Sequence, residues 1–294
     1  MIISTTTYAI FSCFGYEKGI ETAAKTGFDA LDLSLCRCMD NEEFSEDNYS
    51  QTCKQLKETA EKNGIYFNQA HAPFPSIFFS EDEEKAAFRH ERLVRSIKAA
   101  SAVGAKQIVV HPIACPKNVD QKKFNLDFYN NLMPLCKEYK IKIALENMWG
   151  SNAAGTRCVA NVCSYGRDLG AYFDELDSRY FSVCLDIGHP GLIGQTPESA
   201  IYELGSRIHA LHVHDNDDVE DMHTIPFQGV IDWDSVMKAL ADVGYSGDFT
   251  YEVGGKYLSA YIQYPELMET ALEMLVKTAK ILIEKFDSYK AGSN

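Results

Sequence analysis

Six short apolar runs in this chain stop at a side chain that can bind a metal or move a proton, at intervals of 26 to 40 residues. They are YFNQAH ending at His71, IVVH at His111, IALE at Glu146, VCLD at Asp186 with His189 three residues on, ALH at His212 and TYE at Glu252. A further pair, Asp221 and His223, lies in the polar segment DVEDMHTIPF. A buried strand has no structural use for a charged or imidazole group at its last residue, since burial without a partner is costly. A site shared at one end of a sheet does need such groups. Glu146, Asp186, His212 and Glu252 together offer three carboxylates and one imidazole, a donor set for Mn²⁺, Zn²⁺, Co²⁺ or Mg²⁺. Carboxylates that converge in a buried mouth repel one another until a cation neutralises them. His71, His111, His189, Asp221 and His223 are further candidates, either as metal ligands or as groups that orient substrate. His214 alternates with His212 and reads as a supporting or core histidine, whereas His90 and His209 read as structural.

The elements that must position these groups alternate along the whole chain. Strand patterns fall at 2–7, 30–34, 66–71, 107–111, 142–147, 182–187, 209–214 and 249–253. Amphipathic helical patterns include 48–63, 83–103, 122–139, 162–176, 197–204, 233–243 and 265–286. Gly27, Gly64, Gly104 and Gly244 stand where a helix must end before the next strand, the position that favours a left-handed residue. Eight strand–helix repeats in 294 residues predict a single-domain (β/α)8 TIM barrel over 1–294. An open doubly wound sheet is the competitor, but no Gly-rich phosphate loop follows an early strand. In a barrel, catalysis sits at the carboxyl ends of the strands, and the whole series falls there.

Charge and composition narrow the function. With 28 basic and 42 acidic residues the net charge is −14, a field that repels nucleic acid and anionic lipid. No apolar run approaches the ~20 residues a membrane helix needs, and MIISTTTYAI reads as a first strand rather than a secretion leader. Nine scattered cysteines without a CxxC pair suit free thiols in a reducing cytoplasm. Phe74, Phe78, Phe79, Trp149, Phe227 and Tyr257 follow the strand ends and would form an apolar wall for the C–H faces of a sugar or cyclic polyol. Arg157 and Lys256 are the basic candidates near the mouth.

Taken together, HAPFP, VVHP, ALENM, CLDIGH, HVHDND, the Asp221–His223 pair, GxIDW at Gly229–Trp233 and YEVGG resemble the xylose-isomerase-like barrel superfamily, nearest its sugar phosphate isomerase/epimerase branch. In ketose 3-epimerases of that superfamily, residues matching Glu146, Asp186, His212 and Glu252 hold one Mn²⁺-like ion. The two glutamates there form the acid/base pair, and the residue matching His189 contacts substrate oxygens. A second branch, the apurinic/apyrimidinic endonucleases, holds three zinc ions through residues matching His71, His111, Glu146, Asp186, His189, His212, Asp221, His223 and Glu252. The resemblance therefore implies one to three Zn or Mn ions per chain. Between Arg207 and Lys238 no basic residue other than histidine occurs, which disfavours a DNA substrate. The same gap removes the arginine that sugar 3-epimerases carry after the residue matching His212. The expectation is a divalent-metal-dependent isomerase or epimerase of an unphosphorylated sugar or polyol, working by proton transfer next to a carbonyl. Phe74, Trp149, Phe227 and Lys256 would bind substrate, and a homo-oligomer is compatible with this reading. A zinc phosphodiesterase and a keto-polyol dehydratase are the alternatives.

Overall fold

The computed structural model describes residues 1–74, 83–113 and 118–292. Its strands are β1 Ile3–Thr6, β2 Ala30–Ser34, β3 Tyr66–His71, β4 Gln107–Val110, β5 Lys142–Glu146, β6 Trp149–Ser151, β7 Cys158–Ala160, β8 Phe181–Asp186, β9 Ile208–His212 and β10 Phe249–Tyr251. Eight of them form one parallel sheet in the order β10-β1-β2-β3-β4-β5-β8-β9. The sheet closes on itself where the Val213 N–H donates to Thr250 O (2.9 Å) and the Glu252 N–H to Val213 O (3.0 Å). Helices surround it, so the described residues form the expected TIM barrel.

The period-2 pleat explains how this sheet aims the site. In β4, β5, β8 and β9 the residues Val109, Ala144, Cys184 and Ala210 pack on one another as a small cluster inside the barrel. Their neighbours Ile108, Val110, Ile143, Leu145, Val183, Leu185 and Leu211 join the larger core beneath the helices. Two residues beyond each inward position, the pleat again points inward, which places Glu146, Asp186 and His212 at the upper rim. Pairing sets their heights: Asp186 is opposite His212, and Glu146 is opposite Cys184, one inward step before Asp186.

The helices start where the sequence supplies caps. Asp120 accepts from the Lys123 N–H (3.0 Å) ahead of helix Gln121–Tyr139. Asp232 caps helix Trp233–Asp242 through the N–H groups of Asp234 and Ser235. Such caps are each worth about 1 kcal/mol. The four punctuating glycines all have positive φ, between 71° and 104°, which L side chains adopt only with strain.

Two local readings differ from the sequence pattern. The stretch expected to be helical over 162–176 is helical only at Gly166–Phe173, because Ser164 Oγ accepts from the Asn161 N–H (2.6 Å) and Cys163 turns left-handed (φ 56°). Ahead of it, β6 and β7 form an antiparallel hairpin that the apolar pattern does not announce. Asn152 Oδ1 builds its turn by accepting the N–H groups of Thr156 and Arg157 (2.8 and 3.3 Å). The eight described cysteines are free thiols, and Cys115 lies outside the described residues. Among the described residues no helix is long and apolar enough to cross a membrane.

Candidate metal centre

At the carboxyl end of the barrel the structure brings all nine ligand candidates together. Glu146, Asp186, His212 and Glu252 present donor atoms within 4.8 Å of one another. Two further groups adjoin this one on either side: His71 and His111 share Glu146, and His189, Asp221 and His223 stand with His214. Glu146, Asp186 and His212 are buried, whereas the Glu252 side chain is 20% exposed.

Hydrogen bonds fix which ring nitrogen faces the centre. Nδ1–H of His71 donates to Ala72 O (2.8 Å), that of His189 to Asn147 O (2.6 Å), and that of His223 to Glu252 O (2.7 Å). Each bond fixes a proton on Nδ1 and turns Nε2 inward, so that the neutral ring would offer its Nε2 lone pair to a metal. His212 is turned the other way. Its Nδ1 stands 2.6 Å from Glu146 Oε1 and 3.2 Å from Glu252 Oε2, while Nε2 lies 3.4 Å from Asp32 Oδ2. Asp32 is fully buried and also accepts from Gln69 Nε2 (2.7 Å).

The motif residues that bear no charge at the centre hold its walls. Asn147 joins β5 to β8, its amide donating to Asp186 O (2.9 Å) and accepting the Asp186 N–H (2.7 Å). Asp186 Oδ1 accepts the N–H groups of Gly188 and His189 (2.8 and 2.9 Å). Gly188 has no room for a side chain, since a Cβ there would meet the His214 ring at 2.1 Å. Asp215 gathers the N–H groups of Phe227 and Ile231 and the Trp233 indole (2.9, 3.2 and 2.9 Å). HVHDND and GxIDW are thus two halves of one loop clasp.

The electrostatics follow from crowding. Burial alone would raise the Glu146 carboxyl, but the His212 and His111 imidazoles outweigh it and hold it well below the usual carboxylate range. Asp186 is lowered in the same way, burial opposing and His189 and His214 prevailing. Asp221 is pulled far down by His189 and His223 despite its burial. Burial would lower His189 and His212 too, yet Asp186 and Asp221 lift the first, and Cys184, Glu252 and Glu146 the second, well above the ordinary imidazole value. His223 is raised to about 9, burial opposing and Asp221 and Glu252 prevailing. His111 goes the other way, lowered mainly by burial. Carboxylates and imidazoles thus offset one another's charge at the centre, a role a divalent cation would take over.

The donor set fits such an ion. Nε2 of His71 and of His111 are 3.0 Å apart, and His111 Nε2 is 2.8 Å from Glu146 Oε2. Two ligands on a tetrahedral zinc with bonds of ~2.0–2.1 Å stand about 3.3 Å apart. Asp221 Oδ1 is buried with no hydrogen-bond partner among the described residues, which an isolated carboxylate oxygen tolerates poorly. Imidazole nitrogens and carboxylate oxygens in this proportion suit Zn or Mn.

Above the centre lies a cavity of about 510 Å³. Glu146, Glu252, His111, His189, Asp221 and His223 line it, and so do Phe74 and Trp149. Trp149 also donates its indole N–H to Asp221 Oδ2 (3.2 Å). Other sequence candidates stand apart. Phe227 is 55% exposed, since its left-handed backbone (φ 77°) and its bond to Asp215 turn the ring outward. Lys256 pairs with Glu220 on the surface. Neither Phe227 nor Lys256 lines the cavity, and neither does Arg157 or Tyr257. Phe78 and Phe79 lie outside the described residues. His90 and His209 are remote and exposed, whereas His214 touches the centre, with Nε2 3.0 Å from Asp186 Oδ2. Sequence reasoning missed Asp32, Tyr8, Cys36 and Arg37, although the last two follow the end of β2 directly, where a barrel puts its site.

The chain is similar to several known proteins. Inosose isomerase of Bacillus subtilis is 24% identical over 217 residues, covering 69% of this chain and 71% of that protein. Among solved structures, D-psicose 3-epimerase in the presence of D-fructose superposes with a TM-score of 0.71 at 16% identity, covering 96% of this chain and 99% of that one. The IOLI protein with a binding zinc atom gives 0.73 at 18% identity, covering 97% and 99%. Residues 20–278 match a sequence family across almost the whole barrel, and the chain belongs to that family, the xylose isomerase-like TIM barrels.

Proposed function

We propose that this chain is a divalent-metal-dependent isomerase or epimerase of a sugar or polyol that moves a proton next to a carbonyl. One observation carries the reading: the Glu146 and Glu252 carboxylates both approach His212 Nδ1, at 2.6 and 3.2 Å, and both line the same cavity. Glu146, Asp186, His212 and Glu252 would hold a Zn or Mn ion, with room for further ions at the two adjoining groups. Such an ion, when bound, polarises a substrate carbonyl as a Lewis acid. The remaining work belongs to the side chains. One glutamate takes the proton from the carbon beside the carbonyl, and the other returns it, from the opposite face for an epimerisation. The Nε2 side of His189, its ring locked by Asn147, donates to the oxygen that gains charge. Phe74 and Trp149 cover the C–H face and keep water out. The names of the similar proteins, an inosose isomerase and a ketose epimerase, support a polyhydroxylated carbonyl substrate.

The three adjoining ligand groups would also serve a zinc phosphodiesterase. The lining speaks against it: among the described residues Arg37 is its one cation besides histidine, and the chain carries −14, where a phosphate polymer needs a basic rim. The decisive experiment is solvent exchange. Ketoses, aldoses and inososes, together with their acid and phosphate derivatives, incubated with the metal-loaded protein in D₂O should yield one that gains deuterium beside its carbonyl by NMR. Turnover without any exchange would replace the proton transfer by a hydride shift and retire both glutamates as bases.

A further inference from the structure

The cavity has a second pole. Arg37, three residues past the end of β2, stands on its rim opposite in character to the carboxylate-rich floor. Its guanidinium lies over the Tyr8 ring at 5.4 Å and the Phe74 ring at 5.9 Å from the centroids. It makes no ion pair and no hydrogen bond among the described residues. Shortage of acids is not the reason, since the chain holds 42 of them against 28 basic residues. Ring contacts of this kind hold the flat faces of the guanidinium and leave its in-plane N–H donors unspent. The Tyr8 hydroxyl beside it has no hydrogen-bond partner among the described residues either. Arg157 and Lys256, the cations that the sequence places near the mouth, are absent from the lining.

We propose that the substrate carries an anionic oxygen group, a carboxylate or a phosphate, which Arg37 binds while the hydroxyl and carbonyl end of the molecule faces Glu146 and Glu252. The pairing is the one a planar guanidinium makes best, two parallel N–H···O bonds to one acid group. Being fixed against two rings, Arg37 loses little side-chain freedom when it binds. The substrate is then an acidic sugar or a sugar phosphate rather than a neutral one. The inference rests on the isomerase/epimerase reading for its carbonyl end and stands on Arg37 for its acid end.

The test uses metal-loaded protein and three polyols of one skeleton: D-glucitol, D-gluconate and D-glucitol 6-phosphate, titrated calorimetrically at fixed ionic strength. One of the two anions should bind at least ~10-fold more tightly than D-glucitol, and which one does so separates a carboxylate from a phosphate substrate. Arg37→Gln should erase that preference while leaving D-glucitol affinity and metal content unchanged, and Arg37→Lys should keep part of it, given the strength of a charge-assisted hydrogen bond. The side chain is exposed, so neither variant threatens the fold. Equal binding of all three polyols, or anion binding that Arg37→Gln leaves intact, overturns the proposal. Because no turnover is measured, an anion preference that persists where no substrate exchanges deuterium would sink the isomerase reading alone. Efficient exchange with neutral sugars that Arg37→Gln does not alter would sink this one alone.

Discussion

Replacing Asp32 by Asn should weaken metal binding although Asp32 is not among the ligands. Its carboxylate is fully buried inside the barrel, with Oδ2 2.7 Å from Gln69 Nε2 and 3.4 Å from His212 Nε2. In that position it favours a proton on Nε2 of His212, so that Nδ1 is the nitrogen that would shed its proton to offer a lone pair beside Glu146 and Glu252. Asparagine keeps the shape and its oxygen still accepts from Gln69, but a neutral amide oxygen in the Oδ2 place holds a proton on His212 Nε2 less firmly than a carboxylate does. The imidazole then keeps a proton more readily on Nδ1, in the centre. Loss of such an outer carboxylate costs ~10–100-fold in metal affinity, or about 1.4–2.7 kcal/mol. Competition against a chromogenic chelator measures the affinity, and ¹⁵N shifts of the His212 ring report which nitrogen keeps its proton once metal is added. Circular dichroism must show that the variant is folded. A folded Asp32→Asn protein with wild-type affinity and the tautomer unchanged would refute the reasoning, because it would show that backbone packing alone orients His212.

Two further outcomes are expected. Glu146→Gln should abolish stoichiometric binding of Zn²⁺ or Mn²⁺ by elemental analysis, since Glu146 belongs to both the central group and the His71–His111 group; retention of a full complement of metal would remove it from the ligand set. The metal-free and metal-bound proteins should respond oppositely to pH. His223 is raised to about 9 in the folded chain from ~6.5 unfolded, so its contribution to metal-free stability is complete below pH ~6.5 and is lost as pH climbs through 9. Metal affinity must rise over that same interval, because the imidazoles shed protons to bind. Melting curves and chelator competition at pH 6.5, 7.5 and 9 check both, and parallel trends would contradict the shared-proton picture.

The ligands were legible because a parallel barrel imposes two rules at once: inward residues alternate, and function gathers at the carboxyl ends. Glu146, Asp186 and His212 satisfy both on consecutive barrel strands. Asp32 satisfies the first but sits two residues below the rim, where LDLS reads like any half-exposed strand. Arg37 satisfies the second, but β2 ends on Ser34 without a metal-competent group, so nothing in its own segment draws attention. Phe227 shows the reverse failure. Its place after the seventh barrel strand was right for a wall residue, and only the clasp around Asp215, built from residues on both sides of it in sequence, decides that the ring faces water. The β6–β7 hairpin escaped for a similar reason, since its register comes from an Asn152 turn and not from apolar alternation.

The closure of the barrel has a mechanical meaning. Between β9 and β10 the ladder is reduced to one bridge, Val213 to Tyr251, while β8 and β9 stay paired from Val183 to Asp186. The strand that leads into Glu252 is thus paired over three residues with β1 and joined to β9 at a single bridge, the sparser of its two seams. Glu252 is the residue on that seam, and it is also the least buried of the four central donors. A group that must grip a cation in one moment and swing toward a carbon in the next is better mounted on a spring than on a pillar. Amides flanking the seam should accordingly be the first in the sheet to trade hydrogen for deuterium, with the bound cation acting as the stitch that slows them.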